Sequence, residues 1–133
     1  MKHLLSVPVI IAAMLTIAAC QKKDETPMQP DKVNISIASP KTGDVYHKGD
    51  TIRILASVSY ISQLHGYSLA IKNKATNTTL WNTEEHVHSD KFDVNNYWVN
   101  TIDSATQLAL ELTAEIDHDG NGGSNSVSFS SQP

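Results

Sequence analysis

The chain is 133 residues long, with one cysteine, 10 Lys or Arg, 14 Asp or Glu and a formal net charge of −4. A chain of that length holds one domain with an adequate core, and the single thiol excludes an intramolecular disulfide. The mildly acidic balance, without a basic patch, argues against nucleic acid as a partner.

Lys2 and His3 open the chain, and Leu4 to Ala19 is an apolar run interrupted only by Ser6, Pro8 and Thr16. A membrane-spanning helix needs about 20 apolar residues and a stop-transfer flank. This run is shorter and passes directly into Gln21-Lys22-Lys23-Asp24-Glu25, so it reads as a secretory signal that is removed. At its end, Ile17-Ala18-Ala19-Cys20 resembles the lipobox of bacterial lipoproteins. The resemblance implies that Cys20 is acylated, becomes the mature first residue and holds the protein on a membrane through its lipid. Residues 1–19 are then the signal peptide, residues 20–32 the lipidated cysteine with a disordered tether, and residues 33–133 the folded domain. Pro27, Pro30, several charges and no apolar periodicity mark the tether. Within it, Lys23-Asp24-Glu25 resembles the Lys-plus-acidic signal that sends some lipoproteins to the outer face of the outer membrane. The expected location is the outer membrane, on the cell surface, with its periplasmic face as the alternative.

From Val33 onward, apolar residues recur at every second position, the pattern of half-buried strands. Val33, Ile35 and Ile37 share one face, as do Ile52, Ile54, Ala56, Val58 and Tyr60. Tyr67, Leu69 and Ile71 follow, then Leu108, Leu110, Leu112, Ala114 and Ile116, and finally Val127 and Phe129. Leu80-Trp81 and Val87 to Val94 add one or two edge strands. Turn-forming residues separate them at Ser39-Pro40 with Gly43-Asp44, at Lys48-Gly49-Asp50, at Asn73 to Asn77 and at Asp117 to Asn125. Asp103 to Thr106 has room for one helical turn. About seven short antiparallel strands in about 100 residues predict an all-β, immunoglobulin-like sandwich.

Two segments carry a further resemblance. Ile37-Ala38-Ser39-Pro40 through Gly43, with Lys48-Gly49-Asp50-Thr51-Ile52, resembles the opening of bacterial immunoglobulin-like and fibronectin-like domains. Leu112 to Asp117, Gly120-Asn121 and Ser126-Val127-Ser128-Phe129 are similar to their closing hairpin. The resemblance is to small surface lipoproteins carrying such a domain. It implies the fold without an antibody-type Cys pair, and fold alone does not name a function.

Among residues that could carry chemistry, His86 and His88 stand at i, i+2, which on a strand places both imidazoles on one face with Cβ atoms about 6.5 to 7 Å apart. Two nitrogens at that separation can converge on one Zn or Cu ion; a solvated edge strand carries the same pattern. Asp90 continues the parity, while His65 and His47 are candidates for a third ligand. Asp117-His118-Asp119-Gly120-Asn121 suggests the start of a calcium loop, but its Gly falls too early and the twelfth position lacks Glu. A hairpin turn using Gly120, Gly122 and Gly123 at positive φ accounts for it as well. No nucleophile elbow, phosphate loop or paired carboxylates in an apolar setting can be read, so no enzyme is expected. Asp50-Thr51-Ile52 and Asp103-Ser104-Ala105 resemble a tripeptide that some surface-exporting bacteria O-glycosylate, with Ser104 the better candidate. Tyr46, Tyr97 and Trp98 suit either a recognition surface for protein or glycan or plugs at the sandwich ends. These features together point to a lipid-anchored envelope module with a non-catalytic binding, adhesion or complex-accessory role, or alternatively to a metal-binding lipoprotein.

Overall fold

The computed structural model describes residues 32–133. The segments expected to be the signal peptide, the lipidated Cys20 and the tether, through Asp31, lie outside the described residues. Six strands form the domain: β1 (Asn34–Ser39), β2 (Val45–His47), β3 (Thr51–Asn73), β4 (Thr79–Val99), β5 (Thr106–Glu115) and β6 (Gly122–Gln132). They make one sheet in the order β1-β3-β5-β6-β2, with β4 paired to β3.

The strand count differs from the expected seven because two pairs of separate strands are each continuous. Ile52–Tyr60 and Tyr67–Ile71 are halves of β3, and Leu80-Trp81 and Val87–Val94 belong to one strand, β4. The short β2 replaces the expected loop around Tyr46 and runs parallel to β6. Asp103 to Thr106 forms no helical turn, only a bend at Ser104 leading into β5.

β3 explains how one sheet becomes two layers. Along nearly its whole length it pairs with β4 on one edge. On the other edge its first half pairs with β1, from Leu55 to Ser59, and its second half with β5, from Gly66 to Asn73. Between these halves the β3–β4 register shifts twice, from Ser59 to Leu64 and from Leu64 to Gly66. Bulges of this kind bend and twist a ribbon, so the β3–β4 ribbon turns a corner and leads the chain from one layer into the other. The curled sheet encloses a single core that includes Ile52, Ile54 and Val58 from one half of β3, Leu69 and Ile71 from the other, and Leu108, Leu110, Leu112 and Phe129 from β5 and β6.

The alternation read from sequence sets the inward faces. Leu108, Leu110, Leu112 and Ala114 are fully buried while Gln107 is exposed and Ala109, Glu111 and Thr113 are half-buried. Burial of a Leu side chain contributes about 1.5–3 kcal/mol, so a register slip in β5 would forfeit several such terms at once. Lys72 and Glu111, on the outer face of neighbouring strands, pair at 2.6 Å. One buried polar residue, Asn100, ties the end of β4 to its surroundings. Its Nδ2 donates to the His47 carbonyl at 3.0 Å and to Ser131 Oγ at 2.8 Å, and its Oδ1 accepts from Ile102 N at 3.0 Å.

Candidate functional site

The corner of the β3–β4 ribbon collects histidines. β4 alternates outward His86, half-buried Val87, outward His88, so the two imidazoles share the exposed face expected from their spacing. Opposite them His65 stands in the bend of β3, between buried Leu64 and buried Gly66. The bulges on either side of Leu64 aim it at β4: Leu64 pairs with Ser89 and Gly66 with His86, so one β3 residue faces two of β4. Its ring centre lies 5.6 Å from that of His86 and 5.0 Å from that of His88, both edge to face.

A fourth imidazole arrives from the β5–β6 hairpin. His118 lies with its ring centre 3.9 Å from that of His65. The turn that presents it is built by Asp117, whose Oδ1 accepts from Asp119 N at 2.9 Å and Asn121 N at 3.2 Å, while Oδ2 accepts from Asn121 Nδ2 at 2.8 Å. The hydrogen bonds from Asn121 hold the Asp117 carboxyl below its ordinary range. Ile116 N closes the loop on the Asn121 carbonyl at 2.8 Å, and Gly120 supplies the positive φ of 83°. The segment is therefore a hairpin turn, with the Asp117 carboxylate committed to the Asp119 and Asn121 backbone amides and the Asn121 side-chain amide. Of the three glycines expected at positive φ, only Gly120 adopts it; Gly122 and Gly123 are strand residues of β6.

Gly66 permits the corner to close. A Cβ on it would stand 2.6 Å from the Glu85 carbonyl oxygen and 3.4 Å from His86 Cα, so any side chain would push β3 away from the strand carrying His86 and His88. Burial lowers the pKa of the His65 imidazole, and the neighbouring His118, His88 and His86 lower it further in that order, with Glu115 acting in the opposite sense. Next to the corner, buried Tyr67 stacks on Phe92 with ring centres 5.2 Å apart. Burial, assisted by the Glu85 carboxylate, raises the pKa of its hydroxyl well above the ordinary value.

Other candidate residues stand apart from this cluster. His47 ends β2, where its backbone N donates to Asp50 Oδ2 at 2.8 Å. Ser104 is exposed at the bend before β5, its hydroxyl 3.2 Å from Thr106 Oγ1. The three aromatics separate in role. Trp98 is buried in the core, and half-buried Tyr46 meets Phe129 edge-on at 5.8 Å. Tyr97 is 64% exposed on the outer face of β4, paired across to Arg53. With Thr51, Asn95 and Asn96 these two residues line a shallow recess. His118 as a companion of His86 and His88 escaped the sequence reading, since 30 residues, including all of β5, separate it from His88; a histidine at the tip of a glycine-rich hairpin is the available signal.

No family model matches the chain, and no curated protein sequence matches it. Among solved structures, the sporulation control protein Spo0M from Bacillus subtilis is similar with a TM-score of 0.53 at 10% identity; the match covers 77% of this chain and about half (49%) of that protein's length. The CARDB domain of the PF1109 protein from Pyrococcus furiosus, solved in complex with di-metal ions, aligns at a TM-score of 0.45 and 13% identity, covering 78% of this chain and 96% of that one. Likeness this distant concerns the fold alone. The chain is an all-β domain made from one curled six-stranded sheet, and the likeness to Spo0M is a likeness of that fold.

Proposed function

We propose that this protein is a lipid-anchored module of the cell envelope with a non-catalytic binding, adhesion or complex-accessory role. In this reading the acyl chains on Cys20 hold it on the outer membrane, at the cell surface, and the tether lets the domain reach a protein or glycan ligand. The observation that carries the binding role is the outward patch around Tyr97: a 64% exposed phenol ring opposite Arg53 on the neighbouring strand, flanked by Asn95, Asn96 and exposed Val99. A rigid aromatic beside a guanidinium is the side-chain pairing that dominates binding energy at recognition surfaces. Mass spectrometry of the native protein tests the anchor, and a free amino terminus at or beyond Gln21 rejects it. Crosslinked capture from intact cells tests the patch: the Tyr97→Ala, Arg53→Ala double variant should lose the captured ligand, and equal recovery rejects this surface.

A second reading, transition-metal binding by His86 and His88, is favoured by the contact of the His65 ring with both of theirs. Imidazole nitrogens suit Zn and Cu.

A further inference from the structure

We propose that His65, His86, His88 and His118 together form a four-imidazole site for one divalent transition-metal ion, Zn²⁺ or Cu²⁺, at the corner of the β3–β4 ribbon. The proposal rests on the second reading above and deepens it. It makes His65 the centre of the ligand set and adds a ligand from the β5–β6 hairpin.

The geometry carries it. With metal–nitrogen bonds of about 2.0–2.1 Å and tetrahedral angles, two imidazole ring centres bound to one ion lie about 5 Å apart. The His65 ring centre stands 5.0 Å from that of His88 and 5.6 Å from that of His86, so His65 already has that spacing to each of the two β4 imidazoles. His118, at 3.9 Å, is closer than a shared ion allows and has to back away by about 1 Å. Its place on an exposed turn leaves room for that. Among the described residues no group of three or more His, Cys, Asp or Glu side chains could hold a metal ion in the arrangement they now have: the imidazoles meet edge to face. Rotation about χ1 and χ2 of side chains on the outer surface is what loading requires, while the backbone positions stay as they are.

The surroundings favour an ion over four free imidazoles. Neutral imidazoles gain little from exposed edge-to-face contact, and protonated ones repel each other, whereas an ion converts the crowding into four bonds. Glu115, close enough to influence His65, offers one compensating negative charge. The Asp117 carboxylate is already engaged by the turn amides and so fixes the loop while His118 serves as ligand. Three segments distant in sequence, the bend of β3, the middle of β4 and the β5–β6 turn, would be cross-linked by one ion.

The test uses the full chain in detergent micelles, without a polyhistidine tag and stripped with EDTA. Zn²⁺ and, separately, Cu²⁺ are titrated by calorimetry in competition with a chelator of known affinity. One ion per chain is expected, with His65→Ala and His118→Ala each weakening binding at least tenfold, since even groups that only support a metal ligand are worth roughly 10–100-fold. The His86→Ala, His88→Ala double variant should abolish binding, and His47→Ala, away from the cluster, should match wild type. Hydrogen exchange at residues 116–121 should slow on loading. If the double variant loses the ion but His65→Ala and His118→Ala bind as wild type does, the four-ligand site is wrong and the two-histidine reading survives. If all variants bind alike, both fall. Far-UV circular dichroism checks each variant's fold, and Asn substitutions at His65 and His118 replace any Ala variant that does not fold.

Discussion

β5 and the bend of the β3–β4 ribbon are both written in the same alternating code, yet they use it differently. In β5 the ladder is unbroken on both sides: Thr106 to Glu115 pair residue by residue with Ser131 to Gly122, and Leu108 to Glu115 pair likewise with Asn73 to Gly66. Each side chain's environment therefore follows from its parity. In the ribbon bend the register slips twice within Ser59 to Gly66, so parity no longer predicts neighbours. His65, at one parity of a strand that reads as two, meets residues from β4 and from a turn more than 50 positions away. The regular ladder supplies stability, and the interrupted one gathers chemically active groups at the surface. A bulge costs ladder hydrogen bonds, and that is tolerable where side chains face water and the paired strand continues on the other side.

The comparison breaks first at its rigid end. Leu110→Ala, in the middle of the unbroken ladder and fully buried, should destabilise the domain by about 2–5 kcal/mol through lost transfer energy and the residual cavity. Urea melts at constant m-value measure it, and a loss under about 1 kcal/mol would mean that β5 does not form the centre of the core.

At the bend the sensitive atom is a missing one. Gly66→Ala inserts a Cβ against the Glu85 carbonyl, and the resulting separation of β3 from β4 should cost about 1–3 kcal/mol, typical of overpacking. It should also broaden the imidazole NMR signals of His86 and His88 while leaving amide signals of β6 near Phe129 in place. Signals that move uniformly across the domain would show that the corner and the core are one rigid unit, and the contrast between them would fail.

The smallest effect belongs to the outer face of β5. Thr113, half-buried and set between Ser68 and Ser124 on its neighbours, should tolerate Ala at a cost under about 0.5 kcal/mol. A Thr113→Ala variant more damaging than Leu110→Ala would reverse the assignment of inner and outer faces.

How much could be read without coordinates follows the same division. Alternation in β1, in both halves of β3, in β5 and in β6 placed Val33, Ile52, Ile54, Val58, Leu69, Ile71, Leu110 and Phe129 on the inward face, and all are in the core. Period two is a local property of an extended backbone, so a strand carries it in its own residues. The outward orientation of His86 and His88 was legible for the same reason. Strand continuity was not: Tyr60 to Gly66 contains no proline and only one glycine, and nothing local distinguishes a bulge in a long strand from a loop between two short ones. Nor was β2, three residues held by parallel pairing to the last strand of the chain. Trp98 read as a surface or end residue, yet it is buried in the core; nothing local marked Asn100 as buried, because the polar groups that satisfy it come from His47 and Ser131, some 53 and 31 positions away.

By itself, then, the sequence determined the fold class, the inward faces and the pairing of two histidines on one strand, since each depends on the alternation of side chains along a single extended segment. The tertiary structure alone decided that His65 and His118 join them. That meeting depends on two register slips in β3 and on the height of the β5–β6 turn above the corner, both of which arise from how strands pair across the whole sheet.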